Sequence, residues 1–282
     1  MKVIALLALA CLLHLTPFKE SVYVGCTPVE STVRKFFGIS LTDSIDFMRW
    51  KLRLQFDTYN LTVEYGLCKN GTPGFSNGKQ IVLTGKLKRE GNQVDLINQN
   101  KTLSIISINK NLLHLLDEKQ NLLIGNGGYS YGLSNIRIVK TDQINIPAKK
   151  YGLNDYQVYE GRTPCQELSA ISGMNKGPEC NKMKWYIILY TDPKTHLPSY
   201  YLKGGMGYRK ETMDKGKWNI SRGKDGRTIY TLSPEKEPWS FNLVQIDNNI
   251  LVFTDKEGNL LVGNEDFSYT LNKRKDEHPV SR

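Results

Sequence analysis

The feature that most constrains this chain is a stretch that it contains twice. Residues 112–133, LLHLLDEKQNLLIGNGGYSYGL, and residues 250–271, ILVFTDKEGNLLVGNEDFSYTL, align without a gap at an offset of 138, and ten of the 22 positions are identical. Unrelated segments would agree at about one or two, so the chain carries a duplicated structural unit and reads as two related domains. The openings agree as well. Val22-Tyr23-Val24-Gly25-Cys26-Thr27-Pro28 and Val158-Tyr159-Glu160-Gly161-Arg162-Thr163-Pro164 share V-Y-x-G-x-T-P. These matches frame a first repeat over 21–133, a linker over 134–157, a second repeat over 158–272 and a charged, disordered tail over 273–282.

Within each repeat the periodicity is that of strands. Met48, Trp50, Leu52 and Leu54 alternate with Arg49, Lys51 and Arg53, and Met183-Lys184-Trp185 repeats the Met and Trp spacing. Gly85-Lys86-Leu87 is answered by Gly216-Lys217-Trp218, and residues 94–97 by 229–232. Strands are further expected at 241–246, 250–254, 260–262 and 267–271, with a short strand at 136–139. One helical turn fits after each T-P pair, at 30–37 and 166–171. Asp117 and Asp255 recur at turns, where a carboxylate caps backbone N–H groups; Gly258 suits a left-handed turn position, whereas its counterpart is Gln120. Six to eight short antiparallel strands per repeat predict an all-β fold of two tandem small closed barrels of the lipocalin or calycin type, with a β-sandwich as the second architecture.

The N-terminus predicts export. Lys2 precedes an apolar run over residues 3–15, the pattern of a secretory signal peptide within residues 1–20. The run is too short to span a bilayer as a helix, so membrane attachment is expected only through lipidation of Cys11. Removing Cys11 leaves Cys26, Cys68, Cys165 and Cys180, an even number that favours disulfides in an exported chain. Three connectivities are open, and one bridge within each repeat, Cys26–Cys68 and Cys165–Cys180, is the simplest.

The formal charge of +10 comes from lysines scattered along alternating segments, and no motif supports nucleic-acid binding. His114 aligns with Val252, which fits a half-buried strand histidine, and no nucleophile–base pair is suggested locally. Gly125-Asn126-Gly127-Gly128 opens no helix, and its counterpart Gly263-Asn264-Glu265-Asp266 would repel phosphate. An enzyme is not expected. Soft ligands for Cu(I) are present in the second repeat as Cys165, Cys180, Met206 and Met213, beside Met174 and Met183, provided the cysteines stay reduced.

The order of motifs resembles the NlpE N-terminal family of bacterial envelope proteins. The second repeat carries Tyr159-x-Gly161-x-x-Pro164-Cys165, Gly216-x-Trp218, Tyr230-x-Leu232, Leu251-x-x-x-Asp255-x-x-Gly258 and Tyr269-x-Leu271. The first keeps Tyr23, Gly25, Pro28, Asp117, Tyr131 and Leu133. The resemblance implies a lipocalin-like barrel, export to the periplasm, outer membrane or medium, and a role in envelope stress or surface sensing through a protein partner. It also implies copper tolerance, but the family's C-x-x-C pair reads Val29/Thr32 and Cys165/Leu168 here, so that role does not carry over. The functional expectation is a non-enzymatic exported binding protein without a resident cofactor. Its occupant is a protein partner, or a small apolar ligand near Trp50, Trp185 or Trp218; copper binding is the third reading. The points where the repeats disagree, Val29/Cys165 and Gly127-Gly128 against Glu265-Asp266, are where function is expected.

Overall fold

Strand after strand pairs with its sequence neighbour until the last returns to the first, twice over. The computed structural model describes residues 20–72, 74–141, 143–174, 177–204 and 213–274. The first barrel runs β1 (Ser21–Thr27), α1 (Ser31–Phe37), β2 (Phe47–Leu54), β3 (Thr58–Cys68), β4 (Phe75–Glu90), β5 (Gln93–Asn98), β6 (Lys101–Asn109), β7 (Leu112–Leu115) and β8 (Gly132–Asn135). The second runs β9 (Tyr156–Pro164), α2 (Gln166–Ser172), β10 (Lys182–Thr191), β11 (Pro198–Gly204), β12 (Asp214–Arg222), β13 (Thr228–Pro234), β14 (Phe241–Gln245), β15 (Ile250–Thr254) and β16 (Thr270–Lys273). Each is a closed eight-stranded antiparallel barrel, as the alternation predicts, and the sandwich alternative is excluded. Closure pairs the first strand of each barrel with its last, β1 with β8 and β9 with β16.

The shared V-Y-x-G-x-T-P motif is a barrel-closing device. Gly25 lies against the backbone of β8, where an added Cβ would sit 2.9 Å from the Gly132 carbonyl oxygen; Gly161 repeats this against Thr270 O at 2.9 Å. Each glycine stands opposite a tryptophan, Gly25 to Trp50 and Gly161 to Trp185. The fully buried threonines accept the indole N–H groups, Trp50 to Thr27 at 2.8 Å and Trp185 to Thr163 at 2.9 Å. A second device pairs Tyr59 with Gly85 and Tyr201 with Gly216, each ring lying over the glycine across the ladder.

Two strand expectations fail. Residues 136–139 form no strand, although Ile136 N–H donates to Val22 O. Of residues 260–262 and 267–271, only Leu260 makes an isolated bridge, and β16 begins at Thr270, because Asn264 draws the chain into a turn by accepting from the Asp266 and Phe267 N–H groups. The Asp117 and Asp255 turns match: each accepts the N–H four residues on, and Gln120 takes the same left-handed backbone (φ 65°) as Gly258 (φ 91°).

The barrels pack through the repeated stretch itself. β7 and β15 send alternate residues into their own cores, Leu113 and Leu115 in one, Leu251 and Phe253 in the other. The opposite faces supply Leu112, Ile250 and Val252 to a third apolar cluster shared by both barrels, with Ile108, Val244, Ile246 and Leu260. That double burial is why these strands read as continuous apolar runs. Counterparts meet one another at the contact: Ser130 Oγ lies 2.6 Å from Ser268 Oγ, and the Tyr129 and Phe267 rings stack at 6.1 Å. Asn272 Oδ1 accepts from Gly125 N–H, while Ser134 Oγ faces Gly263 at the related position. The two barrels are thus related by a local two-fold axis, with reciprocal contacts of the isologous kind. Residues between the barrels are held to both. Asn145 N–H donates to Ile108 O, and the buried Arg227 guanidinium donates to Ile144 O and Ile146 O.

Candidate functional site

The repeats differ most at the end of the barrel that carries the helix. In the first barrel α1 is a plug. Glu30 caps it by accepting the Thr32 N–H at 2.9 Å, and Gly38 ends it in the left-handed conformation. Val33, Phe36 and Ile39 join the core, and Phe37 packs edge-on to Trp50 at 5.2 Å. The following loop is pinned by Arg34, whose buried guanidinium donates to Val29 O, Ser40 O and Asp43 O.

In the second barrel α2 also packs on the core, through the buried Leu168 and the partly buried Ile171, with Met174 just beyond it. Aligned on their C-cap glycines, Gly38 and Gly173, the Phe36-Phe37 pair of α1 becomes Ile171-Ser172 in α2. A second change widens the end. β5 and β6 are joined by two residues, whereas β13 and β14 are joined by six, which bring Glu235, Lys236, Glu237 and Trp239 to the rim. The result is a cavity of about 570 Å³, within the usual range for small-ligand sites. Trp185 and Tyr201 line it from fully buried positions, and Met174, Met183, Met213 and Trp239 complete its apolar wall.

The Cys165–Cys180 disulfide predicted for the second repeat is formed, with its Cα atoms 5.7 Å apart. It ties the start of α2 to the approach to β10, fixing the wall that carries Met174; closing a loop of this length contributes about 3 kcal/mol. The Cys26–Cys68 bridge is not formed. Cys68 is exposed at the end of β3, while Cys26 is buried between the barrels and donates to Glu265 O at 3.2 Å. Burial, with the Arg49 guanidinium opposing, pushes the Cys26 thiol up to about 12.

Of the three tryptophans singled out in the sequence, the structure brings only Trp185 to the cavity. Trp50 is sealed under Phe37, and Trp218 is buried with its indole N–H on Tyr190 O at 2.7 Å. The soft-ligand set separates. Met213 and Cys180 line the cavity, but oxidation of Cys165 and Cys180 to each other removes both thiolates as metal ligands. Met206, Cys11 and the signal segment lie outside the described residues. No group of three or more His, Cys, Asp or Glu side chains suited to a metal occurs among the described residues. His114 is fully buried rather than half-buried, its Nε2 2.9 Å from Leu123 O, on the face of β7 that meets the other barrel.

The pattern missed Tyr201, Lys203 and Trp239. Tyr201 Oη has no hydrogen-bond partner among the described residues, although the ring is fully buried. Burial raises its pKa, and the carboxylates of Asp214 and Glu235 add to the effect, so the phenol stays protonated. Lys203 Nζ lies 5.2 Å from the centre of the Trp185 ring and 3.6 Å from Asp214 Oδ2. The only sequence signal for this region is the extra segment holding Pro238-Trp239, which the first repeat lacks.

Fold and site together define a tandem of closed antiparallel barrels, the second with a cavity bordered by Met174, Trp185 and Trp239. Comparison with protein-family models, curated proteins and solved structures returned no match.

Proposed function

We propose that this chain is an exported, non-enzymatic binding protein whose second barrel takes a small apolar ligand at its open end, in the manner of a calycin-type carrier. The observation that supports this best is the contrast between the two barrels: one end is filled by Phe36 and Phe37, while its counterpart is a cavity over Trp185. The disulfide is consistent with an oxidising compartment, and among the described residues no helix is long and apolar enough to cross a membrane. The order of motifs shared with NlpE-like envelope proteins supports placing the carrier at a bacterial envelope, where an occupied barrel would report to a protein partner.

Isothermal titration with a panel of medium-chain apolar ligands is expected to give one site per chain. Trp50→Phe should leave binding unchanged, and Met213→Trp, which fills the cavity from its partly buried wall, should weaken it at least about tenfold. A panel without any binder, or two equivalent sites per chain, would sink the reading.

A further inference from the structure

The wall of the first barrel is staggered at β4. β3 pairs with this long strand from Phe75 to Lys86, whereas β5 pairs with it only from Lys86 to Glu90. From Lys79 to Thr84 the side of β4 away from β3 therefore has no strand beside it among the described residues. In the second barrel the related edge is taken. β13 pairs with β12 from Gly216 to Arg222, and just before it Glu235 N–H donates to Lys215 O.

The register says which backbone groups the open side carries. Leu87 N–H donates to Asp57 O, so Leu87 turns its hydrogen-bonding groups towards β3. Residues of an antiparallel strand alternate in this respect. Gly85, Leu83 and Ile81 thus turn the same way, and the N–H and C=O groups of Gln80, Val82 and Thr84 face the open side. An edge of this kind is a template for another strand unless a charge, a proline or a bulge blunts it. The irregularity in the ladder opposite Tyr65–Leu67 lies before the open stretch, and Lys79 at its start is held by Asp43 at 3.6 Å. Gln80-Ile81-Val82-Leu83-Thr84 itself has neither charge nor proline and is rich in β-branched residues. Val82 is 58% exposed on the outer face, and the inward Ile81 and Leu83 pack on the core yet are only partly buried.

This stretch is complementary to itself. Laid antiparallel on a second copy about Val82, it sets Val82 against Val82, Ile81 against Leu83 and Gln80 against Thr84. Apolar side chains then meet apolar ones, an amide meets a hydroxyl, and no like charges are opposed. The outward residues of each copy exchange N–H···O bonds with those of the other. A two-fold axis through Val82 makes the contact isologous, so it closes at two copies. We propose that two copies of this chain dimerise edge to edge through Gln80–Thr84 of β4, joining their β3–β4 pairs into one antiparallel sheet.

Sedimentation velocity of the full chain over a dilution series is expected to show the dimer. Val82→Pro removes an N–H that makes no bond within the barrel, so this variant should keep its thermal transition and become monomeric. Val82→Lys changes only an exposed side chain, sets two ammonium groups face to face on the axis and should also give monomer. Register is read by cross-linking in a Cys68→Ser background, which removes the exposed native thiol. Val82→Cys should oxidise to a linked dimer, because directly opposed residues of this type lie about 5.5 Å apart at Cα, within disulfide range. Thr84→Cys should link to Gln80→Cys in a mixture of the two and not to itself. A wild-type chain that stays monomeric at every concentration would overturn the proposal. Hydrogen exchange of the Gln80, Val82 and Thr84 amides in that monomer then assigns the edge: slow exchange to another segment of this chain, and fast exchange to no occupant. A dimer that survives both Val82 variants would overturn the proposal too, by placing the contact elsewhere.

Discussion

His114 shows how a single residue links the interface to pH. Burial pushes its imidazole down to about 4, with the hydrogen bond to Leu123 O opposing only in part. An unfolded histidine titrates near 6.5. As pH falls from about 6.5 to about 4 the unfolded chain takes up a proton that the native state refuses, so stability declines across that window and levels below it. His114→Val installs the residue that the second repeat already uses at Val252. The variant is expected to flatten the dependence of Tm on pH between 6.5 and 4, and an unchanged slope would contradict the assignment. The sequence alignment identified the position as tolerant of an apolar residue. It could not show full burial, because that depends on what covers the outer face of β7.

At the scale of the element, the turns after β7 and β15 are the same object built with different residues. Asp117 and Asp255 each hold the turn by accepting from the backbone and side chain of an asparagine four residues on. For Asp117, burial alone would raise the pKa, but the donors of Asn121 and the Lys119 N–H outweigh it and the net shift is downward. Its contribution to stability is accordingly present above the ordinary carboxylate range and lost as pH falls through the lowered value. Left-handed backbone suits Gly258 and strains Gln120. Gln120→Gly is expected to stabilise the protein by roughly 0.5–1 kcal/mol, allowing for the entropy that glycine loses on folding, measured as a rise in the urea midpoint at constant m. A fall in the midpoint would mean that the Gln120 side chain makes a contribution the backbone geometry does not reveal.

For the whole molecule, the loops that differ between the repeats, Gly127-Gly128 and Glu265-Asp266, lie at the contact between the barrels. Glu265 and Asp266 reach across to the first barrel, where Asp266 pairs with Arg49 at 2.7 Å and Glu265 O receives the Cys26 thiol. At the related position the first barrel offers Gly127 and Gly128 to Glu160 and Arg162 of the second, and an added Cβ on Gly127 would sit 2.4 Å from the Glu160 carboxyl carbon. Acid meets base on one side of the axis and glycine meets bulk on the other, so each loop fits only the opposite barrel. A ladder of rings, Phe75 on Phe47 at 4.4 Å, Phe47 on Tyr129 at 4.8 Å, then Phe267, runs through the contact. The barrels are therefore expected to unfold in one cooperative thermal transition. Arg49→Asp should lower Tm by the equivalent of about 1 kcal/mol, since the pair is partly exposed and screened, and adding Asp266→Arg should restore most of it. Two separate transitions in the native protein, or no rescue in the double variant, would count against this coupling.

The sequence by itself determined the duplication, the all-β alternation and the Asp-led turns, because each follows from local period or turn chemistry. Barrel closure over a sandwich and the Cys165–Cys180 pairing among three connectivities were expectations that the structure decided. The sequence also placed Met174 and Met183 in the region of interest, without saying that they share a cavity. Tertiary structure decided the rest. Trp50 and Trp185 are equally buried, and whether Phe37 or a cavity lies next to the ring depends on what the helix and a six-residue connection arriving from β13 bring to each barrel end. Whether the repeated stretch serves closure alone or also joins the barrels depends on what covers its outer face. A period of two tells which face a strand residue occupies, and only packing tells what waits on that face.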